Sequence, residues 1–199
     1  MDFEKAVNFR HACKIFDDNK KISNDDLNYI LETTIKAPSS FGIEGWKFLV
    51  IQNQELKESL KPHCWNQPQI TTCSDLVVLL YRKSMTSKDE YVLKSLKRRK
   101  YFEKSLAKYA EFIDSRSQDK IECWSKAQSY IASAYLMLSS ASLDIDSCPI
   151  EGFEHENVKN LLDFDKQNYD ISYMVALGYR LNHPRTLERR DFDELVEFI

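Results

Sequence analysis

Glycine is scarce in this sequence, with only four among 199 residues. Neither G-x-G-x-x-G nor G-x-x-x-x-G-K-[ST] occurs, so a nucleotide-binding loop built on glycine is excluded. The absence of a G-x-S-x-G elbow argues against a hydrolase. The histidines lack the i, i+4 spacing of a helical metal site. They are His11, His63, His155 and His183.

Cysteine is present, but no C-x-x-C pair occurs. The five cysteines are Cys13, Cys64, Cys73, Cys123 and Cys148. An odd number without that pair gives neither a disulfide framework nor zinc-ligand spacing, so we expect reduced thiols in a cytoplasmic protein. Cys148 can be a packed thiol or a reactive one, and the sequence leaves both interpretations open.

Long apolar runs are also missing, since none reaches the roughly 18 residues of a membrane helix. The first residues, 1–5, lack the apolar segment of a signal peptide, and we expect no membrane association. Lys+Arg is 28 and Asp+Glu is 31, for a net charge of −3. This balance excludes an overall basic surface for nucleic acid. Acidic neighbours offset the basic quartet 97–100, so we expect no nucleic-acid partner there either.

What is present fits one globular domain over residues 1–199. The hydrophobic fraction is 43% and the aromatic fraction 12%, which excludes a disordered chain. Apolar periodicity predicts helices over residues 2–9, 23 to about 35, about 55–60, 124–143 and 155–162, with one or two amphipathic helices in a charged excursion over about 87–122. β-Branched and aromatic runs predict buried strands at 46–51, 76–81 and 171–179.

The helix over 124–143 has the strongest pattern and is expected to be the central buried helix. Its inward face is predicted to carry Ile131, Ala134, Tyr135, Leu138 and Ala141. A left-handed residue is expected after its end, at Asp144, because Asp tolerates that conformation better than most residues.

Two short stretches have side chains that suit a ligand. Arg10, His11 and Lys14 lie within five residues and form either an anion site or a solvated basic cluster. Asn66 and Gln69 stand in a polar connection over 62–72. Their amides present donors and acceptors, which suits the edge of a heterocycle but is also ordinary in a loop.

Two further stretches suggest a specified backbone and a partner. The Pro–Gly bend, residues 148–153, combines a proline and a glycine, so its backbone can aim N–H groups at a ligand. The tail over 183–192 is extended and basic, and the apolar residues that follow it predict docking on a partner subunit. The residue types alone indicate an anion-binding α+β domain that forms a dimer.

Five pieces of the sequence occur in the order of a known family. They are RHACKIFD from Arg10, APSSFG from Ala37, WKF from Trp46, DSCPIEGF from Asp146, and the ending from Gly178-Tyr179-Arg180 to Arg189-Arg190. Together they resemble the FMN-dependent NAD(P)H nitroreductases of the oxygen-insensitive type. The resemblance implies an α+β sandwich around a mainly antiparallel sheet. It also implies an intertwined homodimer with FMN at the interface and a C-terminal arm, about 183–199, that embraces the partner.

The same resemblance assigns residues to the FMN phosphate. Arg10 and Arg189 are expected to hold it, with Arg190 as the alternative if the register of the tail differs by one. His11 and Ala12 are expected to contribute mostly backbone.

For the flavin ring, the resemblance places Lys14 near the N1/O2 side, where positive charge stabilises the reduced form. Asn66 and Gln69 are expected on the pyrimidine edge. Pro149 and Ile150 should pack against the ring, and the N–H groups of Glu151 and Gly152 should approach N5 and O4. The residues expected to reach the FMN of the other subunit are Pro38, Ser39 and Ser40.

Four departures from the family pattern bear on the cofactor. Ala12 stands where a hydroxyl residue is often found, and Gln69 stands where lysine is common. Glu44-Gly45 replaces Gln-Pro before the tryptophan, and Leu187 or Glu188 replaces a lysine of some relatives. These changes bear on FMN affinity, flavin potential and substrate preference.

The activity implied is hydride transfer from NAD(P)H through FMN to a nitroaromatic, a quinone or a similar acceptor, by a ping-pong mechanism. No side-chain nucleophile is required, since the cofactor carries the chemistry. Phe41 and the segment 91–124 are candidates for a lid over the substrate. Two alternatives stay open: another flavin reaction on the same fold (dehalogenase, flavin-degrading or oxidase type), or a non-catalytic flavin-binding dimer.

Overall fold

The computed structural model describes residues 2–98, 100–184 and 186–199. Arg99 of the basic quartet and Arg185 of the tail lie outside the described residues. The helices are α1 Phe3–Phe9, α2 Asn24–Thr34, α3 Gln54–Leu60, α4 Gln69–Thr72, α5 Glu90–Lys97, α6 Phe102–Ile113, α7 Gln118–Ser142, α8 His155–Leu161 and α9 Phe192–Leu195. The strands are β1 Trp46–Ile51, β2 Asp75–Arg82, β3 Asp146–Ile150 and β4 Tyr169–Gly178. Short 3-10 turns cover Ser40–Gly42 and Lys61–Cys64.

The strands form one sheet in the order β1-β2-β4-β3, and each neighbouring pair is antiparallel. The central strands β2 and β4 are buried along nearly their whole length, as their apolar runs predict. The edge strand β1 has the predicted bounds but is only partly buried, with Lys47 exposed. The other edge strand, β3, was not predicted. Pro149 argues against a strand by pattern, because proline has no N–H to donate. It is tolerated in this edge strand because the isolated bridge on the other side of β3 lies at Ser147 and not at Pro149.

Helices cover both faces of the sheet and bury alternate side chains of each strand. On one face, Leu76 and Val78 alternate with their neighbours to pack towards α3 and α8. On the other face, Val77 and Leu79 pack towards α2 and α7. The observed architecture is therefore the predicted α+β sandwich around an antiparallel sheet.

The long helix α7 begins at Gln118 rather than at the predicted Trp124. Its buried face is built mainly from small residues, namely Ser125, Ser129, Ala132, Ser133, Leu136, Ser139 and Ser140. These side chains let the helix approach the sheet closely, and Ser129 Oγ lies 2.6 Å from Ser172 Oγ of β4.

The predicted inward face of α7 is therefore wrong for three of its five residues. Ile131 and Tyr135 are each 39% exposed, and Ala134 is exposed too. Leu138 is half-buried and Ala141 is buried. Because the helix is apolar or small nearly all round, its periodicity does not tell which face meets the sheet. The result is an apolar helix face turned to solvent.

The charged excursion forms two helices, α5 and α6, which confirms the helical prediction for that segment. Their apolar sides pack with Ile43 and the start of α7 in a cluster separate from the two sheet faces. Inside this cluster, the buried Tyr109 hydroxyl donates a hydrogen bond to Met85 O. Among the described residues, no helix is long and apolar enough to cross a membrane.

Two predicted helix ends are confirmed by their capping geometry. Ser23 caps α2, because its side chain accepts from the Asp26 N–H at 3.1 Å. After α7, Asp144 adopts a left-handed conformation with φ of 59°.

All five cysteines are free, and only Cys123 is exposed. Burial raises the pKa of Cys13 to about 11 and the pKa of Cys64 to about 12. For Cys148, burial raises the pKa while Lys14 opposes the shift. Since the thiolate is the reactive species, these three thiols are poor nucleophiles at neutral pH.

We expect one thiol per native chain to react quickly with a disulfide reagent such as DTNB at pH 8, followed by slow reaction of the rest. Cys123→Ser should remove the fast phase, whereas Cys148→Ser should leave it unchanged. The measurement is the amplitude of each phase, followed by the absorbance of the thionitrobenzoate that each reacting thiol releases. A fast phase that survives Cys123→Ser would contradict the assigned burial.

Candidate functional site

The two ends of the chain line one cleft of about 570 Å³. Residues 10–15 form one wall, and residues 182–184 with 186–189 form the other. Arg10 and Arg189, which the family resemblance assigned to one phosphate, both line this cleft. Arg190 does not line it and instead lies 3.9 Å from Glu194. The geometry favours Arg189 over its neighbour as the tail's anion-binding residue.

The basic segment is held beside β3 by main-chain and carboxylate contacts. Ala12 pairs with Ser147 in a parallel bridge, and the Cys13 N–H donates to Ser147 O at 3.0 Å. Asp146, only 3% exposed, lies 3.5 Å from His11 Nδ1 and 2.7 Å from Arg180 Nη2. This buried carboxylate ties the first wall of the cleft to the start of the tail.

Three side chains meet where the segment passes the end of β3. Lys14 Nζ lies 3.5 Å from Cys148 Sγ, and Gln69 Nε2 lies 3.8 Å from the same sulfur. Gln69 is 1% exposed, so its position in α4 differs from the solvated loop predicted for 62–72. Its Oε1 is buried without a hydrogen-bond partner among the described residues. A buried acceptor left unpaired is costly and therefore points to a missing donor.

Gln67 connects this corner to the Pro–Gly bend. Gln69 Nε2 donates to Gln67 Oε1 at 2.9 Å, and Gln67 Nε2 donates to Gly152 O at 2.7 Å. The two amides thus form a relay that fixes the bend relative to α4. Gln67 is one of the amides of the polar connection over 62–72, but the family resemblance assigned it no role.

In the bend itself, Ile150 is buried and Pro149 is half-buried. The Tyr130 hydroxyl of α7 donates to Glu151 Oε1. Desolvation and the neighbouring Glu151 carboxylate raise the pKa of Tyr130 to about 12, so the phenol keeps its proton. Its ring stacks on Tyr173 at 4.5 Å between centroids. Glu151 and Gly152 are therefore held against the sheet from the α7 side.

Trp65 is a residue of this site that the sequence analysis did not single out. Trp65 and Asn66 have φ of 54° and 52°, and a left-handed conformation costs a residue such as tryptophan roughly 1–2 kcal/mol. The Trp65 side chain is 69% exposed, yet its ring covers Gly152. A Cβ at Gly152 would meet the ring at 2.5 Å. A side chain at this position would therefore displace the Trp65 ring from the bend.

Pro38, Ser39 and Ser40 lie elsewhere and do not line the cleft among the described residues. The Ser40 N–H donates to Gln128 Oε1 of α7 at 2.8 Å, and Ser39 Oγ accepts from the Glu44 N–H at 2.9 Å. These contacts fix the turn beside α7. One chain alone does not bring this turn to the cleft.

Phe41 follows that turn with φ of 54° and packs into the excursion. Its ring meets Tyr109 edge-on at 5.1 Å and lies 5.4 Å from Phe112. Phe41 therefore links the Ser39–Ser40 turn to α6, which is the connection a lid candidate needs. A contact between Phe41 and a substrate stays a prediction.

The arrangement as a whole has two chemically different ends. Cationic side chains stand at the cleft, which suits a phosphate. A lysine, an unpaired amide oxygen and a backbone bend stand beside them, which suits a flat ring with polar edges.

Comparison with known proteins shows the family to which the chain belongs. The model described as "Nitroreductase family" matches residues 7–179. The chain belongs to the nitroreductase family. It is therefore similar along most of its length to a family of oxidoreductases, and the predicted resemblance is confirmed.

Individual relatives of this family member span nearly the whole chain. A Staphylococcus saprophyticus protein whose name assigns it as an NAD(P)H nitroreductase is 42% identical over 209 residues, covering 98% of this chain and 95% of the relative. The Bacillus subtilis protein YfkO, with the same name, is 38% identical over 211 residues, covering 98% and 96%.

Solved structures share the fold. A Staphylococcus epidermidis protein described as an NAD(P)H:FMN oxidoreductase superposes with a TM-score of 0.85 at 26% identity, covering 100% of this chain and 96% of that one. A nitroreductase from Exiguobacterium sibiricum, crystallised with FMN, gives 0.87 at 22% identity, covering 100% and 98%. At that identity the second structure supports the fold alone.

Proposed function

We propose that the protein is an FMN-dependent oxidoreductase that takes hydride from NAD(P)H and passes it to a nitroaromatic, quinone or similar acceptor in a ping-pong reaction. When bound, FMN supplies the hydride chemistry, accepting from the nicotinamide and donating to the acceptor. The proposal is supported by the relatives' names and by the solved structure at 26% identity that is described as an NAD(P)H:FMN oxidoreductase. The observation in this chain that carries it is the unpaired Gln69 oxygen beside Lys14.

The residues fit FMN at both ends of the site. Arg10 and Arg189 offer guanidinium groups to the phosphate, and bidentate geometry suits that group. At the ring edge, Gln69 Oε1 lacks a donor among the described residues, and a flavin pyrimidine edge carries both an N–H and carbonyl oxygens. Lys14 keeps ammonium hydrogens beyond its contact with Cys148. The polar groups that folding leaves unpaired therefore match those that the cofactor offers.

The chain's own residues then have separate tasks. His11 and Ala12 contribute backbone near the phosphate, and Asn66 joins Gln69 at the pyrimidine edge. Lys14 places positive charge where reduction adds negative charge to the ring, which favours reduction.

The bend supplies the remaining wall of the cofactor site. With FMN bound, Pro149 would pack against the ring and help to exclude water from it, with Ile150 buried behind it. The N–H groups of Glu151 and Gly152 would offer hydrogen bonds to the ring, and Tyr130 binds the Glu151 side chain. Because the Trp65 ring covers Gly152, a side chain there would displace the ring.

We also propose a homodimer. The solvent-facing apolar side of α7 has no cover in one chain, and Ile131 and Tyr135 are each 39% exposed on it. The tail ends in Phe198 and Ile199, which are among the most exposed apolar residues described. Pairing two chains covers both surfaces. It also carries the Pro38–Ser40 turn, held beside α7, to the FMN of the partner.

A cytoplasmic location is part of the same proposal. NAD(P)H is a cytoplasmic reductant, and all five cysteines are free thiols. Free thiols suit a reducing compartment.

The test is anaerobic reduction of the purified protein after incubation with FMN. We expect a yellow, protein-bound flavin whose absorbance is lost on adding NADH or NADPH and returns on adding a nitroaromatic or a quinone. Bound flavin that neither nucleotide reduces would favour the non-catalytic dimer. Reduction without reoxidation by either acceptor would favour another flavin reaction on this fold.

A further inference from the structure

The Trp65 loop, residues 61–67, docks on the Pro–Gly bend through its own set of contacts. The loop contains the 3-10 turn Lys61–Cys64, followed by two consecutive left-handed residues. Asn tolerates that conformation, but tryptophan does so rarely. Such a backbone persists only when the surroundings determine it, so the contacts that hold the loop matter for its shape.

One contact set lies on the outer side of the loop. His63 Nδ1 lies 2.9 Å from Glu154 Oε2. The Glu154 N–H donates back to His63 O at 2.8 Å, so the two residues are joined by both main chain and side chain. Asn157 Nδ2 also donates to Glu154 Oε2 at 2.6 Å. His63 and Asn157 lower the pKa of Glu154, so this carboxylate stays charged near neutral pH.

A second contact set lies on the inner side. Gln67 Nε2 donates to Gly152 O, and the Trp65 ring lies over Gly152. Contacts therefore hold the loop on both sides of its two left-handed residues, Trp65 and Asn66. His63 stands two positions before Trp65, and Glu154 stands two positions after Gly152.

We propose that His63 and Glu154 are positioning residues that hold Trp65 and Asn66 at the edge of the cofactor site. This inference rests on the proposed function only in taking FMN as the ligand that the Trp65 loop faces. The His63–Glu154 contact, called the clamp below, is a property of the chain itself. We infer its role from its position, since the two residues link the segment that carries Asn66 to the segment that carries Gly152.

The pair is exposed, with side-chain exposures of 36% and 51%, so its effect on global stability is small. Its effect on the loop is local. Without the His63 side chain, the left-handed conformation of Trp65 loses one of its restraints, and the loop samples other conformations. If FMN binds only those molecules whose loop has the observed conformation, its apparent affinity falls in proportion to their fraction.

The test is 19F NMR of protein that carries 5-fluorotryptophan and no flavin. The chain has three tryptophans, and Trp65→Phe assigns the relevant resonance. We expect His63→Ala and Glu154→Ala to shift or broaden the Trp65 resonance and to leave Trp46 and Trp124 unchanged. His63→Gln keeps a side-chain donor and should restore the signal. FMN binding should weaken roughly two- to fivefold in the alanine variants and recover in His63→Gln.

Arg98→Ala is the matched control. Arg98 and Glu44 form another exposed ion pair, at 3.2 Å with side-chain exposures of 57% and 43%, and it involves neither the Trp65 loop nor the bend. A Trp65 resonance unmoved by His63→Ala, or moved equally by Arg98→Ala, would overturn the proposal. Loss of FMN binding in the unaltered protein, with the Trp65 shifts as expected, would overturn the proposed function and leave the clamp standing.

Discussion

Arg10→Ala is expected to weaken FMN binding by about 100-fold while the fold stays intact. The Arg10 side chain lines the cleft and makes no hydrogen bond or ion pair with the described residues. Its removal therefore costs the chain no contact of its own. A phosphate loses a charge-assisted hydrogen bond, which is the strong kind. The measurement is flavin content after dialysis and the dissociation constant by fluorescence titration, with circular dichroism to check the fold.

The tail offers matched variants for the same experiment. Arg189→Ala should also weaken FMN binding, because Arg189 lines the cleft. Arg190→Ala should leave it close to the unaltered value, because Arg190 lies by Glu194. Normal flavin content in Arg10→Ala, or a loss confined to Arg190→Ala, would contradict the assigned phosphate site.

Much of the fold could be predicted because its signals are local. Strand β1 has the predicted bounds, because aromatic and β-branched residues end abruptly at a polar turn. The cap at Ser23 and the left-handed Asp144 likewise depend on a few neighbouring residues. Strand β3 was missed for the opposite reason. Whether Pro149 is tolerated depends on the absence of a neighbour on one side, and that is a property of the whole sheet.

The residues of the candidate site likewise differ in whether local sequence could predict their positions. The convergence of residues 10–14 with the tail was expected from charge at both ends and from the family resemblance. Trp65 and Gln67 were not singled out, because their roles depend on contact with Gly152, which is distant in sequence. The burial of Gln69 depends on α4 and β3 meeting, so the amide looks like a loop residue in the sequence. The contacts of Trp65, Gln67 and Gln69 thus depend on residues distant in sequence, which local patterns do not show.

The inward face of α7 shows where periodicity loses its power. Both sides of this helix carry side chains that are compatible with burial, and the small serines, not the larger Ile131 and Tyr135, meet the sheet. A helix that is apolar on its outer face as well is expected to be buried in a larger assembly. The exposed apolar face that made the prediction wrong for one chain therefore supports an interface between two chains.

The double variant Ile131→Asp/Tyr135→Asp is accordingly expected to convert a dimer into a monomer. Complete burial of an exposed apolar side chain contributes roughly 1.5–3 kcal/mol. Ile131 and Tyr135 are each 39% exposed, so an interface gains part of that from each, and a two-fold interface counts each residue twice. Aspartate there also places an unpaired charge in an apolar contact, which adds a desolvation cost. The measurement is mass by light scattering or sedimentation, with one chain at 23.4 kDa.

Leu161→Asp is the matched control, since Leu161 is 40% exposed on α8, across the sheet from α7. It should leave the mass of the dimer unchanged. The double variant should also lose FMN, because the Pro38–Ser40 turn of each chain is proposed to serve the partner's cofactor. A monomer that binds FMN as tightly as the unaltered protein would show that one chain holds the cofactor by itself. An unaltered protein that is monomeric at micromolar concentration would remove the interface, and the exposed face of α7 would then need another explanation.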